Sequence, residues 1–446
     1  MKIYLFIVKV CQMVTRIRKI NYIYNTSGLF ILTVYIPSGS IYENIGANKD
    51  KAIDGVSHML EHLLFKRTEK YTGQEILKAF TSIGGVYNAS TDKDETMFYV
   101  KTLTENFELA TSLIHNIVVK PVLKAEDIEI ERQVVLEELA KYQDDMSDAI
   151  YEESTPVLLD KSNIYSPPVI GQKRHLKKMS VEEIIKYYRE RYQDIMVVIS
   201  CDENYRGKIH KYVTKLFGRN GFVDFYEPKL ESLSLRFEKK ENVKIVSADM
   251  HQYNTVVLLP SFKYADMKNS TILNFLKYCL CDAGLYSILT YEMREKRGLV
   301  YHVSMDNERR RYLGVLRTSF ATSNKNIISI LKVMFDVINN IKSNGLTVKN
   351  LAFFKTSYAN HLQYRFTNDE YRAAWIGENL FYGCVSSEAE LLKFVKSITN
   401  DDIKRICSEV FSYDKMGIYS TGSYEDIKQI KKEVNDLLLE QIKIQD

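Results

Sequence analysis

The sequence predicts an α+β protein built from two domains, and three observations point that way. Strand-like and helix-like stretches alternate irregularly and include hairpins, which argues against a regular βαβ repeat. A similar unit closes each half of the chain: residues 171–187 followed by a strand at 195–200, and residues 391–405 followed by a strand at 415–420. Each carries a Ser or Thr cap, a pair of acidic residues, a helix and a closing strand, as an internal duplication would. Finally, periodicity breaks at Arg219-Asn-Gly-Phe-Val-Asp-Phe-Tyr-Glu-Pro-Lys229. The domains are therefore expected at 1–222 and 240–446, a division that suits a chain of 446 residues.

The elements follow in order. Residues 19–24 and 29–36 are expected to form a hairpin turning at Asn25-Thr-Ser-Gly28. Asp54 is the expected N-cap of the next helix. Val56, Met59, Leu60, Leu63 and Leu64 give that helix an apolar stripe at helical spacing. Thr72 caps a second helix through Ile83, which Gly84-Gly85 stops. Val86–Thr91 reads as a strand, 92–95 as a turn and Thr96–Leu103 as the return strand. Residues 124–142 form a strongly acidic helix whose apolar face is Ile128, Val135, Leu136 and Leu139. The basic run Arg309-Arg-Arg311 lies between strand-like segments and marks a solvated hairpin.

Composition narrows the classes of function. An apolar content of 45% supports large cores, and a net charge of +4 gives no reason to expect a nucleic-acid partner. The six Cys at 11, 201, 279, 281, 384 and 407 form no C-x-x-C pair, which suits free thiols in a reducing compartment. No run of apolar residues is long enough for a membrane span. The apolar run near the N-terminus is only about six residues, shorter than a secretory signal needs. Five basic residues precede the first acidic one, Glu43, so a mitochondrial presequence is the alternative use of this segment. It is poor in Ser and reads as strand, so it is assigned to the first domain and the chain to the cytoplasm.

The chemistry concentrates in Asp54-Gly-Val-Ser-His-Met-Leu-Glu-His-Leu-Leu-Phe65. On a helix, His58 and His62 are i and i+4, so both imidazoles leave one face. Two imidazoles so spaced can bind one zinc ion. Glu61 lies on the same flank, in reach of a reacting water without being a ligand. This H-x-x-E-H order is the inverzincin signature and points to metal-dependent hydrolysis, of a peptide bond above all. A pair of helix histidines beside a salt-bridging Glu is the purely structural alternative. A hydrolytic zinc site needs a third protein ligand. The acidic helix offers Glu131 and Glu138, at i and i+7 on one face, and Glu137 about 100° away from Glu138.

Glu131-Arg-Gln-Val-Val-Leu-Glu-Glu138, with Glu138 lying 76 residues after His62, resembles the pitrilysin or insulinase family of zinc metallopeptidases. The chain is similar to its short, two-domain members, among them the mitochondrial processing peptidases. The resemblance continues through the N-A-S-T of residues 88–91 and through Arg294-Glu-Lys-Arg-Gly-Leu-Val-Tyr301. It implies that Glu138 is the third zinc ligand, that Glu131 orients a ligand imidazole, and that Glu61 is the general base. It implies that Asn88 and Ala89 meet substrate backbone by strand addition. It implies that Arg294 and Tyr301 enter the reaction, one anchoring a carbonyl and the other donating to an oxyanion. In fold, it implies two homologous domains, each a mostly antiparallel sheet with helices on one face. In function, it implies an endopeptidase acting on peptides or unfolded segments in a closed chamber, completed by a second copy or a paralogue. A non-catalytic, structural or substrate-holding subunit is the alternative, although the ligands and base it would have lost are present.

Overall fold

The computed structural model describes residues 20–43, 53–144, 146–160, 163–193, 195–218, 242–323, 327–384 and 386–445. The strand-like N-terminal segment, Cys11 and the expected boundary at 219–229 lie outside them. In the first half the elements are β1 (Asn21–Tyr24), β2 (Leu29–Ile36), α1 (Val56–Leu64), α2 (Gly73–Ser82), β3 (Val86–Thr91), β4 (Thr96–Leu103), α3 (Phe107–Val119), α4 (Ala125–Asp144), α5 (Met146–Ser154), α6 (Lys173–Lys178), α7 (Val181–Arg191), β5 (Met196–Cys201) and α8 (Arg206–Phe217). In the second half they are β6 (Val243–Ser247), β7 (Tyr253–Ser261), α9 (Met267–Lys277), β8 (His302–Arg309), β9 (Gly314–Thr322), α10 (Ile327–Asn344), α11 (Val348–Phe366), α12 (Asp369–Phe381), α13 (Glu388–Ser397), α14 (Asn400–Val410), β10 (Gly417–Gly422) and α15 (Ile427–Gln445). No helix among the described residues is long and apolar enough to cross a membrane.

The two halves repeat one topology. The sheets have five strands each, in the orders β1-β5-β2-β4-β3 and β6-β10-β7-β9-β8. All pairings are antiparallel except β1 with β5 and β6 with β10. This corrects the expected hairpin between β1 and β2. The two strands do run in opposite directions, but β5 lies between them. The link through 25–28 must therefore span two strand spacings, about 9.5 Å, which four residues can reach. Asn25 secures that step by donating to the Leu29 carbonyl at 3.1 Å and to Ser200 Oγ at 2.8 Å.

One contact unit takes in the described parts of Met1–Asp144, Pro167–Ser234 and Phe366–Val385, and the other takes in the rest. Each unit thus receives a helix from the other half of the sequence. In the first, α12 packs on β2 and β5, where Ala373 and Phe381 bury against Ile23, Ile31, Tyr35, Met196 and Val198. The opposite face of that sheet carries the main core, formed with α1, α2, α3, α4, α7 and α8. In the second, α5 packs on β7 and β10. Arg317, which is buried, donates there to Ser154 Oγ at 2.8 Å and Thr155 Oγ1 at 3.0 Å, and stacks over the Tyr151 ring at 4.0 Å.

Locally, most expected elements form for the stated reasons. The apolar stripe of α1 is fully buried. Thr72 and Glu75 make a reciprocal capping box at α2. The basic run does close the β8–β9 hairpin, but its three arginines are half-buried rather than solvated, with Arg309 stacked 4.2 Å over the buried Tyr264 ring. The start of α1 differs from expectation. Gly55, not Asp54, holds the cap position, at φ 94°, a left-handed conformation suited to glycine. Asp54 instead meets His175 Nδ1 at 2.8 Å. The free N–H groups of Gly55 and Ser57 donate to the buried carboxyl of Glu43, at 2.8 and 2.9 Å.

Candidate metal centre

The site lies where α1 meets α4 over the end of β3. Burying the stripe of α1 turns its polar flank outward, so His58, Glu61 and His62 share one partly exposed face. Helix α4 is anchored beside it. Ile128, Val135 and Leu139 enter the core, and buried Arg132 donates to the Met179 carbonyl at 2.8 Å and to the Leu176 carbonyl. This anchoring aims Glu131 and Glu138 at α1, while Glu137 stays exposed and outside the cluster.

His58, His62 and Glu138 each offer a ligand atom, all within 4.8 Å of one another. His62 Nε2 stands 3.3 Å from Glu138 Oε2, and His58 Nε2 stands 3.8 Å from Glu138 Oε1. The two imidazole rings lie edge to face at 4.8 Å. Tetrahedral bonds of about 2.0–2.1 Å place neighbouring ligand atoms about 3.3 Å apart, so these separations suit one zinc-sized ion. The donor set, two nitrogens and one carboxylate oxygen, leaves a fourth position for water or substrate. Among the described residues it is the one such cluster.

Two further groups support the ligands. Glu131 is 2% exposed, and its Oε2 accepts from His62 Nδ1 at 3.2 Å. Lys66 Nζ lies 2.5 Å from the other oxygen of Glu131. A carboxylate behind a ligand imidazole fixes its tautomer and raises its basicity. His58 has no such support: its Nδ1 is buried without a hydrogen-bond partner among the described residues. Glu61 accepts from the Thr91 hydroxyl at 2.6 Å.

The electrostatics separate the two histidines. Burial, helped by the charge of His62, pushes His58 down to about 4. Hydrogen bonds to Glu131 and then Glu138 raise His62 to about 9. The hydrogen bond from His62 holds Glu138 below its ordinary value. Burial pushes Glu131 up, but His62 and Lys66 together outweigh it and hold it low. Burial raises Glu61, with the Thr91 hydroxyl acting against it.

The remaining sequence candidates fall elsewhere. Asn88 is exposed on β3, the edge strand, and Ala89 turns its side chain into the core at 7% exposure, so only its backbone is available to a ligand. Arg294 and Tyr301 belong to the second unit, where the guanidinium stacks 5.2 Å over the ring and Tyr301 is 78% exposed. Thr91, Lys66 and Glu43 had no role assigned from sequence. Alternation along β3 puts Thr91 on the same inward side as Ala89, a signal that could have placed it over α1.

A family model described as Insulinase (Peptidase family M16) matches residues 24–156, and a second, described as Peptidase M16 inactive domain, matches residues 178–358. The second match contains no metal-binding cluster among its described residues. An uncharacterized zinc protease of Streptomyces coelicolor is 24% identical over 396 residues, covering 86% of this chain and 85% of that protein. One of Mycobacterium tuberculosis is 26% identical over 394 residues, covering 86% of this chain and 89% of that protein. The crystal structure of a protease from Helicobacter pylori superposes with a TM-score of 0.78 at 20% identity, covering 90% of this chain and 96% of that one.

Proposed function

The chain belongs to the insulinase family of peptidases, and from that premise we propose that it is a zinc-dependent endopeptidase. The observation that carries the reading is the convergence of His58, His62 and Glu138 beside Glu61. The donor set and its spacing suit zinc, and the relatives are named zinc proteases. Zinc held by these residues would acidify the attacking water and polarise the scissile carbonyl.

The chain's own groups do the rest. Glu61 takes the proton of the attacking water and passes it to the leaving amine nitrogen. The outer edge of β3, at Asn88 and Ala89 and unpaired among the described residues, pairs with extended peptide backbone and so favours peptides and unfolded segments. Arg294 anchors a substrate carbonyl and Tyr301 donates to the developing oxyanion. We assign these two groups to the site of a partner chain, a copy or a paralogue, which closes the chamber.

The test pairs metal analysis with cleavage of a mixed peptide library. Wild type should bind about one zinc per chain. Glu61→Gln should bind it equally and cleave about a hundred- to ten-thousand-fold more slowly. Glu138→Ala should lose the metal. Undiminished cleavage by Glu61→Gln would sink the assignment of the base, and no zinc in the wild type would favour a non-catalytic subunit.

A further inference from the structure

Helix α1 supplies Glu61, and the end of β3 meets it. Thr91 closes β3 and donates its hydroxyl to Glu61 Oε2 at 2.6 Å. In the β3–β4 register Thr91 stands opposite Thr96, with 3.5 Å between their hydroxyl oxygens. Thr96 commits its own proton to the Ser38 carbonyl at 2.6 Å. The Thr91 proton therefore goes to the carboxylate, and Thr91 is the one side chain with a hydrogen bond to Glu61 among the described residues.

The end of β3 is a rigid place from which to do this. The turn after it closes with Asp92 N–H donating to the Glu95 carbonyl at 2.8 Å. Ser40 and Ile41 N–H groups donate to the carbonyls of Asp92 and Lys93 at 3.2 and 3.1 Å. Gly39 makes that approach possible, since a Cβ there would come within 2.1 Å of the Lys93 carbonyl oxygen. Lys93 Nζ donates to the Pro167 carbonyl at 2.6 Å, and Tyr382 donates to Asp94 at 2.9 Å. The β-branch of Thr91 restricts its χ1, and the fixed turn holds its backbone, so its hydroxyl is kept within reach of Glu61.

Resting on the reading of Glu61 as the base, we propose that Thr91 is a positioning residue, whose hydroxyl holds Glu61 Oε2 and so presents Oε1 to the attacking water. Because the same strand offers its outer edge to substrate, β3 then registers both the peptide and the base.

The experiment compares zinc-loaded wild type, Thr91→Val and Thr91→Ser by crystal structure, zinc content and peptide kinetics. Valine keeps the shape and removes the hydroxyl, whereas serine keeps the hydroxyl and removes the methyl. Glu61 should sit in one conformer in wild type and Thr91→Ser, and turn away or spread over several in Thr91→Val. The kcat of Thr91→Val should fall roughly ten- to a hundredfold, with KM and zinc content within about twofold of wild type. Thr91→Ser should recover most of that loss. The proposal is overturned if Glu61 keeps its wild-type position in Thr91→Val, or if Thr91→Ser falls as far as Thr91→Val. Release of Glu61 in Thr91→Val, with no peptide cleaved by any of the three proteins, would uphold the positioning role and overturn the peptidase reading instead.

Discussion

His58 and His62 lie one helical turn apart, yet they are prepared differently for a metal. Only His62 has a carboxylate behind it, Glu131, and Glu138 stands nearer to it, at 3.3 Å, than to His58, at 3.8 Å. These raise His62 to about 9, while burial drives His58 down to about 4. Near neutral pH the metal-free site then holds a protonated His62 and a neutral His58. Glu131 and Glu138 are both held low, so they are already ionised. A metal ligand must be a neutral imidazole, so binding has to expel the proton from His62. Between pH 5.5 and 6.5 zinc uptake should release about one proton, and apparent affinity should rise about tenfold per pH unit. Calorimetry in buffers of different ionisation enthalpy reads this directly, and uptake without proton release would mean that His62 is neutral before the ion arrives. Much of this site was legible in the chain. The i, i+4 histidines and the carboxylate between them follow from helical spacing alone. Choosing Glu138 over Glu137 came from the family resemblance, and the structure separates them because α4 buries the face that carries Ile128, Val135 and Leu139. Support by Lys66 was not legible, because it depends on how separate elements pack, and alternation along β3 marks only the side on which Thr91 lies, not its contact with Glu61.

At the scale of elements, α1 is a short helix that carries both histidines, so its first turn matters to the site. Its N–H groups are satisfied by Glu43, a residue well upstream, and Asp54 turns instead to His175. Periodicity and local cap preferences see only the nearest residues, and they named Asp54 for that reason. Glu43→Ala would leave two buried donors without an acceptor, at about 1–3 kcal/mol each. That corresponds to a fall in Tm of several degrees by thermal unfolding, at about 2–4 °C per kcal/mol. An unchanged Tm would mean that water replaces the carboxyl at no cost. The strands show the same division between near and far. The β3–β4 hairpin was readable from alternation and its turn, whereas the place of β5 between β1 and β2 was not. Its partners lie more than 150 residues away in the chain, and no local pattern records such a pairing.

At the scale of the whole molecule, the two halves repeat one sheet topology but are not independent in sequence. Helix α12 comes from the second half and completes the first unit, where the Phe381 and Tyr35 rings stack at 5.7 Å and Arg372 donates to the Tyr24 carbonyl at 2.9 Å. Helix α5 comes from the first half and completes the second unit, where Tyr151 donates to Glu308 at 2.7 Å and Tyr419 donates to Glu153. The duplication seen in sequence gave no sign of this exchange, because an amphipathic helix looks the same whichever sheet receives it. The exchange has a consequence for a cut chain. If a protease recognition sequence is placed within 219–241 and cleaved, each fragment still carries a helix buried in the other's unit. The fragments should co-elute in native gel filtration and separate only as the protein unfolds in urea. Phe381→Ala removes a large buried side chain of α12, a change that costs about 3–5 kcal/mol in a well-packed core. It should let the cut fragments part at a clearly lower urea concentration than the cut wild type. Fragments that separate without denaturant, each keeping its folded spectrum, would show that the exchanged helices add little and that each half stands alone.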